Sequence, residues 1–418
     1  MLKKTYLILL FAGILFSCNN DDDLVATCDT PTSISANTVT NTSATISWID
    51  ANSAGSYILE YGVSGFTLGT GTLISETNTS TILTGLNANT TYDVYIQTIC
   101  SETNISMNSD VFSFTTLAPN VVPEFRLNLA ELNIYSGDIA LMQPSPYAFE
   151  YDLNTRLFSD YAHKQRIIAL PQGEKMTYDG EGLPLFPDNT VIAKTFYYNL
   201  DERDESLGQH IIETRILIKI DGAWETGDYK WNESQTEAVL DPNGSTVPVT
   251  WIDDEGESNS INYEIPSDTD CFTCHRVNTD KTPIGPKMRT LNFNVNGTNQ
   301  LQSLIDSDML EGLADPSTVS VLPKWDDEDN YTLEERARAY FDINCAHCHI
   351  EGGFCEEQSN LRLSFETAFE ESSIFESRFS ITARIQNVIP NYSMPLIGTT
   401  IIHDEGVSLI LEYLDSLE

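Results

Sequence analysis

Two five-residue motifs constrain this chain more than any other feature of its sequence: "CFTCH" at 271–275 and "CAHCH" at 345–349. Each motif contains two cysteines three positions apart, and a histidine follows the second cysteine directly. Two thiols at this spacing lie on one turn of the chain, where both can reach the same bound group. The next residue then places its imidazole beside that group, so the fold around each motif has to enclose a site.

The doubled motif is the pattern of covalent haem attachment, in which two thiols bond the two vinyl groups of one porphyrin. The sequence therefore predicts two covalently bound haems c. His275 and His349 are the predicted proximal iron ligands, and His347 is predicted to have no part in attachment. The cysteines predicted to form thioether bonds are Cys271, Cys274, Cys345 and Cys348.

Three other interpretations compete with haem attachment. The two cysteine pairs can share one tetrahedral zinc ion, either pair can be a thioredoxin-like redox disulfide, or both can be structural disulfides. The histidine in both copies, the methionines downstream and the export signal described below favour haem.

Residues 330–418 resemble the mono-haem cytochrome c fold in the order of their parts: a helix, "CAHCH", a polar excursion, "NYSMP" and a final helix. In "TLEERARAYFDI", Leu333, Ala337, Tyr340 and Phe341 fall on one predicted helix face, and in "EGVSLILEYLDSL" Val407, Ile410, Leu411 and Leu414 do the same. The resemblance implies that Met394, 45 positions beyond His349 (394 minus 349), is the distal ligand. His403 is the rival ligand. Ligation by histidine and methionine closes the iron to substrates and suits electron transfer.

The first motif follows the strand-like "SINYEIPSDTD" and lies only 69 residues before Cys345. We therefore predict a β-rich environment and an incomplete cytochrome fold around it. Met288, in "PIGPKM", is the predicted distal ligand. Met309, His163 and His210 are alternatives, and a site without a distal ligand would leave the iron open.

The start of the chain, "MLKKTYLILLFAGILFSC", has two lysines, an apolar run and then a small residue before Cys18. This pattern predicts a secretion signal at 1–17, and it resembles bacterial lipoprotein signals, which implies lipid on Cys18. The alternative, a transmembrane anchor, needs about 20 apolar residues. The acidic residues 18–27 resemble a tether to the cell surface, or they form a solvated spacer. We expect an exported protein that is lipid-anchored in the cell envelope, at the outer membrane.

A mature chain from Cys18 has 20 basic and 62 acidic residues, a balance of −42, because the signal removes two of the 22 lysines and arginines. This charge excludes nucleic acid as a partner and leaves the lipid as the only attachment to a membrane. It favours encounter with basic redox proteins.

Residues 28–117 alternate apolar and polar positions between turn residues, which is typical of an antiparallel sandwich. Trp48, "LNANTTYDVYI" and "FSFTT" resemble fibronectin type III modules, and the resemblance places Tyr92 as the corner tyrosine of such a sandwich. Cys28 and Cys100 flank the module, as a disulfide or as two unpaired thiols.

Residues 121–325 are also rich in predicted strands, separated by Asp-Gly and Asn-Gly turns. Phrases such as "LFSDYAHKQRIIALP" and "YKWNESQTEA" resemble a family of exported bacterial dihaem c-type cytochromes from about Tyr151 to the end of the chain. The predicted fold class is thus an immunoglobulin-like sandwich, a β-rich domain with the first haem motif, and an all-α cytochrome c-like domain at 326–418.

Three functions remain open at this point. An electron carrier outside the cytoplasm requires closed iron at both sites. A haem enzyme, such as a dihaem peroxidase, requires an open iron at the first site. A binding protein would use the sandwich for adhesion. The doubled motif favours the carrier, and no role is predicted for Cys355.

Overall fold

The computed structural model describes residues 27–417. The chain forms two compact units, one ending at Leu117 and the other beginning at Ala118. The predicted signal peptide, the lipidation of Cys18 and the tether except for its last residue lie outside the described residues. Within the described part of the chain, no helix is long and apolar enough to cross a membrane.

The first unit is a β-sandwich. Its strands are β1 Thr32–Asn37, β2 Ser43–Ile49, β3 Tyr57–Val63, β4 Thr72–Glu76, β5 Ser80–Thr84, β6 Thr91–Ser101, β7 Asn104–Ile105 and β8 Phe112–Thr115. One sheet has the order β1-β2-β5, and the other has the order β4-β3-β6 with β7 and β8 both paired to β6. All these pairings are antiparallel.

Alternate side chains of these strands point inward, as the two-residue period of a strand requires. In β2 the buried residues are Ala44, Ile46 and Trp48, and they pack in the core between the two sheets. The Tyr92 hydroxyl accepts a hydrogen bond from the Asn87 N–H at 2.9 Å, which is the contact expected of a corner tyrosine. Cys28 and Cys100 form a disulfide, with their Cα atoms 5.9 Å apart.

The second unit is built on a six-stranded antiparallel sheet. The first strands of this unit are β9 Ala148–Glu150, β10 His163–Ala169, β11 Met176–Thr177, β12 Val191–Asn199, β13 Gln209–Ile220, β14 Ala223–Trp231, β15 Ala238–Leu240, β16 Ser245–Ile252 and β17 Ser258–Ile265. The sheet order is β15-β14-β13-β12-β10-β9, and β16 and β17 form a separate hairpin. The short strands that follow are β18 Arg276–Val277, β19 Asp280–Lys281, β20 Asn294–Val295, β21 Thr298–Asn299 and β22 Leu310–Glu311.

The predicted Asp-Gly turn at 221–222 joins β13 to β14. Both residues have positive φ, 49° for Asp221 and 84° for Gly222, as a type I′ hairpin turn requires. The pairing that this turn sets aligns Arg215 with Asp228 across the two strands, and that register decides which charged side chains meet under the first motif.

The helices lie toward the C-terminus. They are α1 Asp268–Cys274, α2 Met288–Leu291, α3 Gln300–Asp306, α4 Leu333–Asn344, α5 Phe369–Ser372, α6 Ile374–Ile385 and α7 Asp404–Asp415. The predicted core face of α4 is correct, because Ala337, Tyr340 and Phe341 are buried. In α7 the face is rotated from the prediction: Leu409 and Tyr413 are buried, whereas Leu411 is only half-buried.

The polar excursion after the second motif contains the amphipathic helix α6, which the sequence analysis did not predict. The many charged residues of this helix obscure its narrow apolar stripe in the sequence. Only Ile374 and Ile381 of the helix are buried. Side chains also join residues 326–418 to the β-rich part of the same unit. The Lys287 ammonium pairs with Asp342 at 2.8 Å, and the Phe158 N–H donates to the Asn344 side chain at 2.8 Å.

Candidate functional site

The second motif begins where α4 ends. At the other end of this helix, Thr332 and Glu335 form a reciprocal capping box, in which the Thr332 N–H donates to the Glu335 carboxylate at 2.9 Å. The Cys345 N–H donates to the Phe341 carbonyl at 2.9 Å, and the His349 N–H donates to the Cys345 carbonyl at 3.0 Å. The motif is therefore a single compact turn that extends α4.

A cavity of about 320 Å³ opens beside this turn. Both cysteines of the motif line it, together with His349 and Met394. The structure thus brings Met394 to the same cavity as the histidine 45 positions earlier in the sequence. Most of the remaining wall is apolar and includes Phe341, Leu361, Leu363, Ile381, Ile385, Leu396 and Ile410.

His349 is almost fully buried, with 8% of its surface exposed. Burial, together with the nearby His347 and Arg362, lowers its pKa to about 4. The ring is therefore neutral at physiological pH. Its Nδ1 atom is buried and has no hydrogen-bond partner. A neutral imidazole with a free nitrogen can serve as a metal ligand.

His403, the rival of Met394, also lines the cavity, but its ring is held by the protein. Its Nδ1 atom hydrogen-bonds to the Tyr340 hydroxyl at 2.9 Å, and its Nε2 atom lies 3.6 Å from the Glu405 carboxylate. The ring also stacks on Phe158 with centroids 4.2 Å apart. The hydrogen bond to Nδ1 and the stacking hold the His403 ring in place and leave Met394 as the more available ligand.

The first motif lies on α1, a seven-residue helix that begins after Ser267. The strand predicted before this motif is present, since the preceding element is β17. Helix α1 packs against β14 of the large sheet. There the buried Cys271 places its sulfur 3.9 Å from an Asp228 carboxylate oxygen.

His275 follows directly at the end of α1. Its Nδ1 atom lies 2.8 Å from the Thr282 carbonyl, a group that can only accept, so Nδ1 carries the proton and Nε2 is left unprotonated. Burial, together with the positive charge of Lys194, lowers the pKa of His275 to about 3. The second motif has no equivalent of this carbonyl, because the Nδ1 atom of His349 is unpartnered.

The two motifs meet in space. The ligand atoms of Cys274, His347 and Cys348 all lie within 4.8 Å of one another, and Cys274 also lines the cavity of the second motif. Hydrogen bonding from Cys348 lowers the pKa of Cys274 to about 5. Contact with Cys348 also lowers the pKa of Cys355 to about 7, so this cysteine belongs to the same cluster. No local pattern in the sequence indicates that the motifs are neighbours.

A row of charged side chains crosses the sheet near the first motif. The strand registers align Arg166 on β10 with Lys194 on β12, Arg215 on β13 and Asp228 on β14. Arg215 is paired with the fully buried Glu213 at 2.6 Å, and the Tyr263 hydroxyl donates to the same carboxylate at 2.6 Å. The sequence carries only a weak signal of this row, because the same strands contain other charged residues, such as Lys164, Glu213 and Lys230, and no local pattern shows which of them align.

Met288, the predicted distal ligand of the first site, is fully buried in the hydrophobic core with Ile168, Met176 and Leu291. It lines neither the cavity beside α4 nor a second cavity that lies beside β10. Of the alternatives, Met309 packs on the same core, His210 is half-buried, and His163 pairs with Glu202 at 2.9 Å. The role of Met288 therefore stays a prediction.

Comparison with known proteins concerns the first unit. Residues 29–115 match the family model "Fibronectin type III domain". The first unit contains a fibronectin type III domain. No curated protein matches the chain.

Solved structures that resemble the chain include fibronectin-type domains. The FN1-FN3 domains of chicken CNTN1 are 20% identical over 22% of this chain and 31% of that chain, with a TM-score of 0.20. The fn3 domain of human contactin 1 is 17% identical over 23% and 84%, with a TM-score of 0.21. The FN5 domain of Drosophila Lar is 18% identical over 22% and 100%, with a TM-score of 0.20. At TM-scores this low the likenesses carry no further argument.

Proposed function

We propose that this protein is a dihaem c-type cytochrome that transfers single electrons outside the cytoplasm. The observation that carries the proposal is the cavity beside α4, where both cysteines of one motif, its histidine and Met394 share one apolar enclosure. The contact between Cys274 and Cys348 supports two attached groups that are close neighbours.

The residues present fit covalent haem. Each motif offers two thiols on one turn and a histidine that burial keeps neutral. The carbonyl of Thr282 leaves Nε2 of His275 unprotonated and able to bind iron. Cys271, Cys274 and His275 would hold the first haem, and Cys345, Cys348, His349 and Met394 would hold the second. Haem iron supplies reversible one-electron chemistry, and axial methionine raises its potential.

The protein's own contribution is to hold these ligands and to exclude water. The walls of the cavity come from α4, α6 and α7, and buried residues such as Phe341 and Ile410 keep its interior apolar. The hydrogen bond with Tyr340 and the stacking on Phe158 keep His403 in place and away from the role of a ligand. A dry, closed environment with two fixed ligands favours a carrier over a catalyst.

A haem enzyme is the second candidate, and one observation favours it. Met288 is packed into the hydrophobic core and lines no described cavity. If neither Met288 nor one of the alternatives Met309, His163 and His210 is a ligand, the first iron would be open, as a dihaem peroxidase requires. Cyanide or peroxide titration of the oxidised protein separates the candidates, because a carrier with two closed sites does not respond.

The setting of the proposed carrier is the cell envelope. We propose that the chain is exported, lipid-anchored through Cys18 at the outer membrane, and attached to the membrane by that lipid alone. A chain with a balance of −42 after removal of the signal would meet basic redox proteins most readily.

The deciding experiment is intact mass and the pyridine haemochrome spectrum of protein made in a host with the cytochrome c maturation machinery. We expect two attached haems in the parent protein. One should remain in the Cys271→Ala/Cys274→Ala variant and one in the Cys345→Ala/Cys348→Ala variant. Cys355→Ala is the matched control and should keep both haems.

A protein without haem would overturn the proposal. If it contained zinc instead, and His347→Ala released that zinc, the Cys274–His347–Cys348 cluster would be a metal site of the kind that cysteine and histidine form.

A further inference from the structure

A second cavity, of about 580 Å³, lies beside β10. Its wall contains four cationic side chains, two of which, Arg156 and Lys324, sit near the protein surface and are paired with Asp152 and Asp326. The other two, Lys164 and Arg166, lie deeper. Three carboxylates also line the cavity: Asp152, Asp326 and Asp327. The aromatic side chains of the wall are Phe158, Tyr161, Phe293, Trp325 and Tyr331.

Arg166 is only 2% exposed, yet three of its five N–H groups have no hydrogen-bond partner. Its Nη1 atom donates to Asp152 at 3.1 Å and to the Lys164 carbonyl at 3.3 Å. Its Nε and Nη2 atoms are shielded from water and have no partner. These two nitrogens form one edge of the guanidinium, and that edge matches the two oxygens of a carboxylate.

Two neighbouring lysines, Lys164 and Lys194, have no carboxylate partner among the described residues. The Lys164 ammonium donates to the Ala162 carbonyl at 3.0 Å. Lys194, aligned with Arg166 across the strands, has no hydrogen bond or ion pair among the described residues. Asp152 is shared between Arg156 and Arg166. Burying an unpaired positive charge costs free energy, and a bound anion would offset that cost here, in an otherwise acidic protein.

We propose that this cavity binds a carboxylate, which Lys164 and the Nε–Nη2 edge of Arg166 receive after a small shift of the cavity wall. The carboxylate has two candidate sources. One is a free aromatic carboxylate that packs on Phe158 and Trp325. The other is a propionate of the haem attached at the first motif.

The second source rests on the proposed function, and the sheet geometry is compatible with it. The charged row runs from Asp228, beside Cys271, over Arg215 and Lys194 to Arg166. Three strand spacings of about 4.8 Å separate the ends of this row, roughly 14 Å in all.

Benzoate is the probe, and uncharged benzamide is its matched control. Binding is measured by calorimetry on the haem-loaded full-length protein and on the Cys271→Ala/Cys274→Ala variant. We expect saturable binding of benzoate but not of benzamide. Arg166→Met should weaken it about ten- to hundredfold, the effect of losing a charge-assisted hydrogen bond. Lys324→Gln, on the same wall, is the control substitution and should leave binding within a factor of about two.

The two protein forms distinguish the sources. Binding to the haem-loaded protein supports a free carboxylate ligand. Binding only to the Cys271→Ala/Cys274→Ala variant, together with a lower reduction potential in haem-loaded Arg166→Met but not in Lys324→Gln, supports the propionate. Arg166→Lys keeps the charge and loses the bidentate edge, so it separates loss of binding from loss of folding.

The proposed carboxylate site is ruled out if benzoate binds neither form, or if Arg166→Met binds benzoate as tightly as the parent protein does. If the chain carries no haem at all, the titration is still informative. Benzoate binding through Arg166 would then support the carboxylate site while the proposed function fails.

Discussion

At the scale of single residues, Met394 and His403 line the same cavity, but the His403 ring is also held by a hydrogen bond with Tyr340 and by stacking on Phe158. We expect Met394→Ala to open the sixth position of the second haem, so that cyanide binds there and the reduction potential falls. His403→Gln is the matched control and should bind no cyanide at this site, because Tyr340 and Phe158 hold the parent ring. Absorption spectra of the oxidised variants check this. The reverse result would make His403 the ligand.

The same histidine predicts a dependence of stability on pH. Burial lowers the pKa of His403 below its usual 6.5, and attraction to Glu405 offsets only part of the effect. As the pH falls through 6.5 the unfolded chain binds a proton that the folded protein does not, so folded stability is lost on the acid side. In urea unfolding, the parent protein should lose more stability than His403→Gln between pH 7 and pH 5. Equal losses would show that His403 titrates normally.

At the scale of elements, α7 packs closely on α4 at a glycine, Gly406. A Cβ atom added at Gly406 would lie 2.3 Å from the ring and hydroxyl of Tyr340. Alanine is the better helix former by about 1 kcal/mol, yet we expect Gly406→Ala to reduce the free energy of unfolding by about 1–3 kcal/mol through overpacking. Ser408→Ala, at an exposed position of the same helix, should be neutral or slightly stabilising. Chemical denaturation compares them, and a stabilised Gly406→Ala would mean that Tyr340 moves aside freely.

At the scale of the whole molecule, the chain consists of two compact units, and one disulfide lies within the first. Replacing Cys28 and Cys100 by alanine removes a link between residues 72 positions apart. We expect this change to destabilise the fibronectin type III unit by about 2–4 kcal/mol. Calorimetry of the full chain should show one unfolding transition at lower temperature and the other unchanged. A shift of both transitions would mean that the units unfold together.

Much of the local structure could be predicted from the sequence. The sandwich strands follow from alternation, the β13–β14 hairpin from Asp221 and Gly222, and the core face of α4 from its spacing. Prediction was weaker for α6, whose narrow apolar stripe is masked by charged residues, and for the orientation of α7. Both depend on what packs against the helix, which a single segment does not contain.

The candidate site also has a part that the sequence predicts and a part that it does not. The sequence by itself determined the two Cys-x-x-Cys-His turns, because residues three and four positions apart are held together by the local backbone. Only the tertiary structure decided that Cys274 meets Cys348, 74 positions later (348 minus 274), and that Arg166 lies beside Lys194 with an unpaired edge. Such neighbours are set by strand register and by the packing of α1 on the sheet, and these arise from long-range burial of apolar surface, which local patterns do not specify.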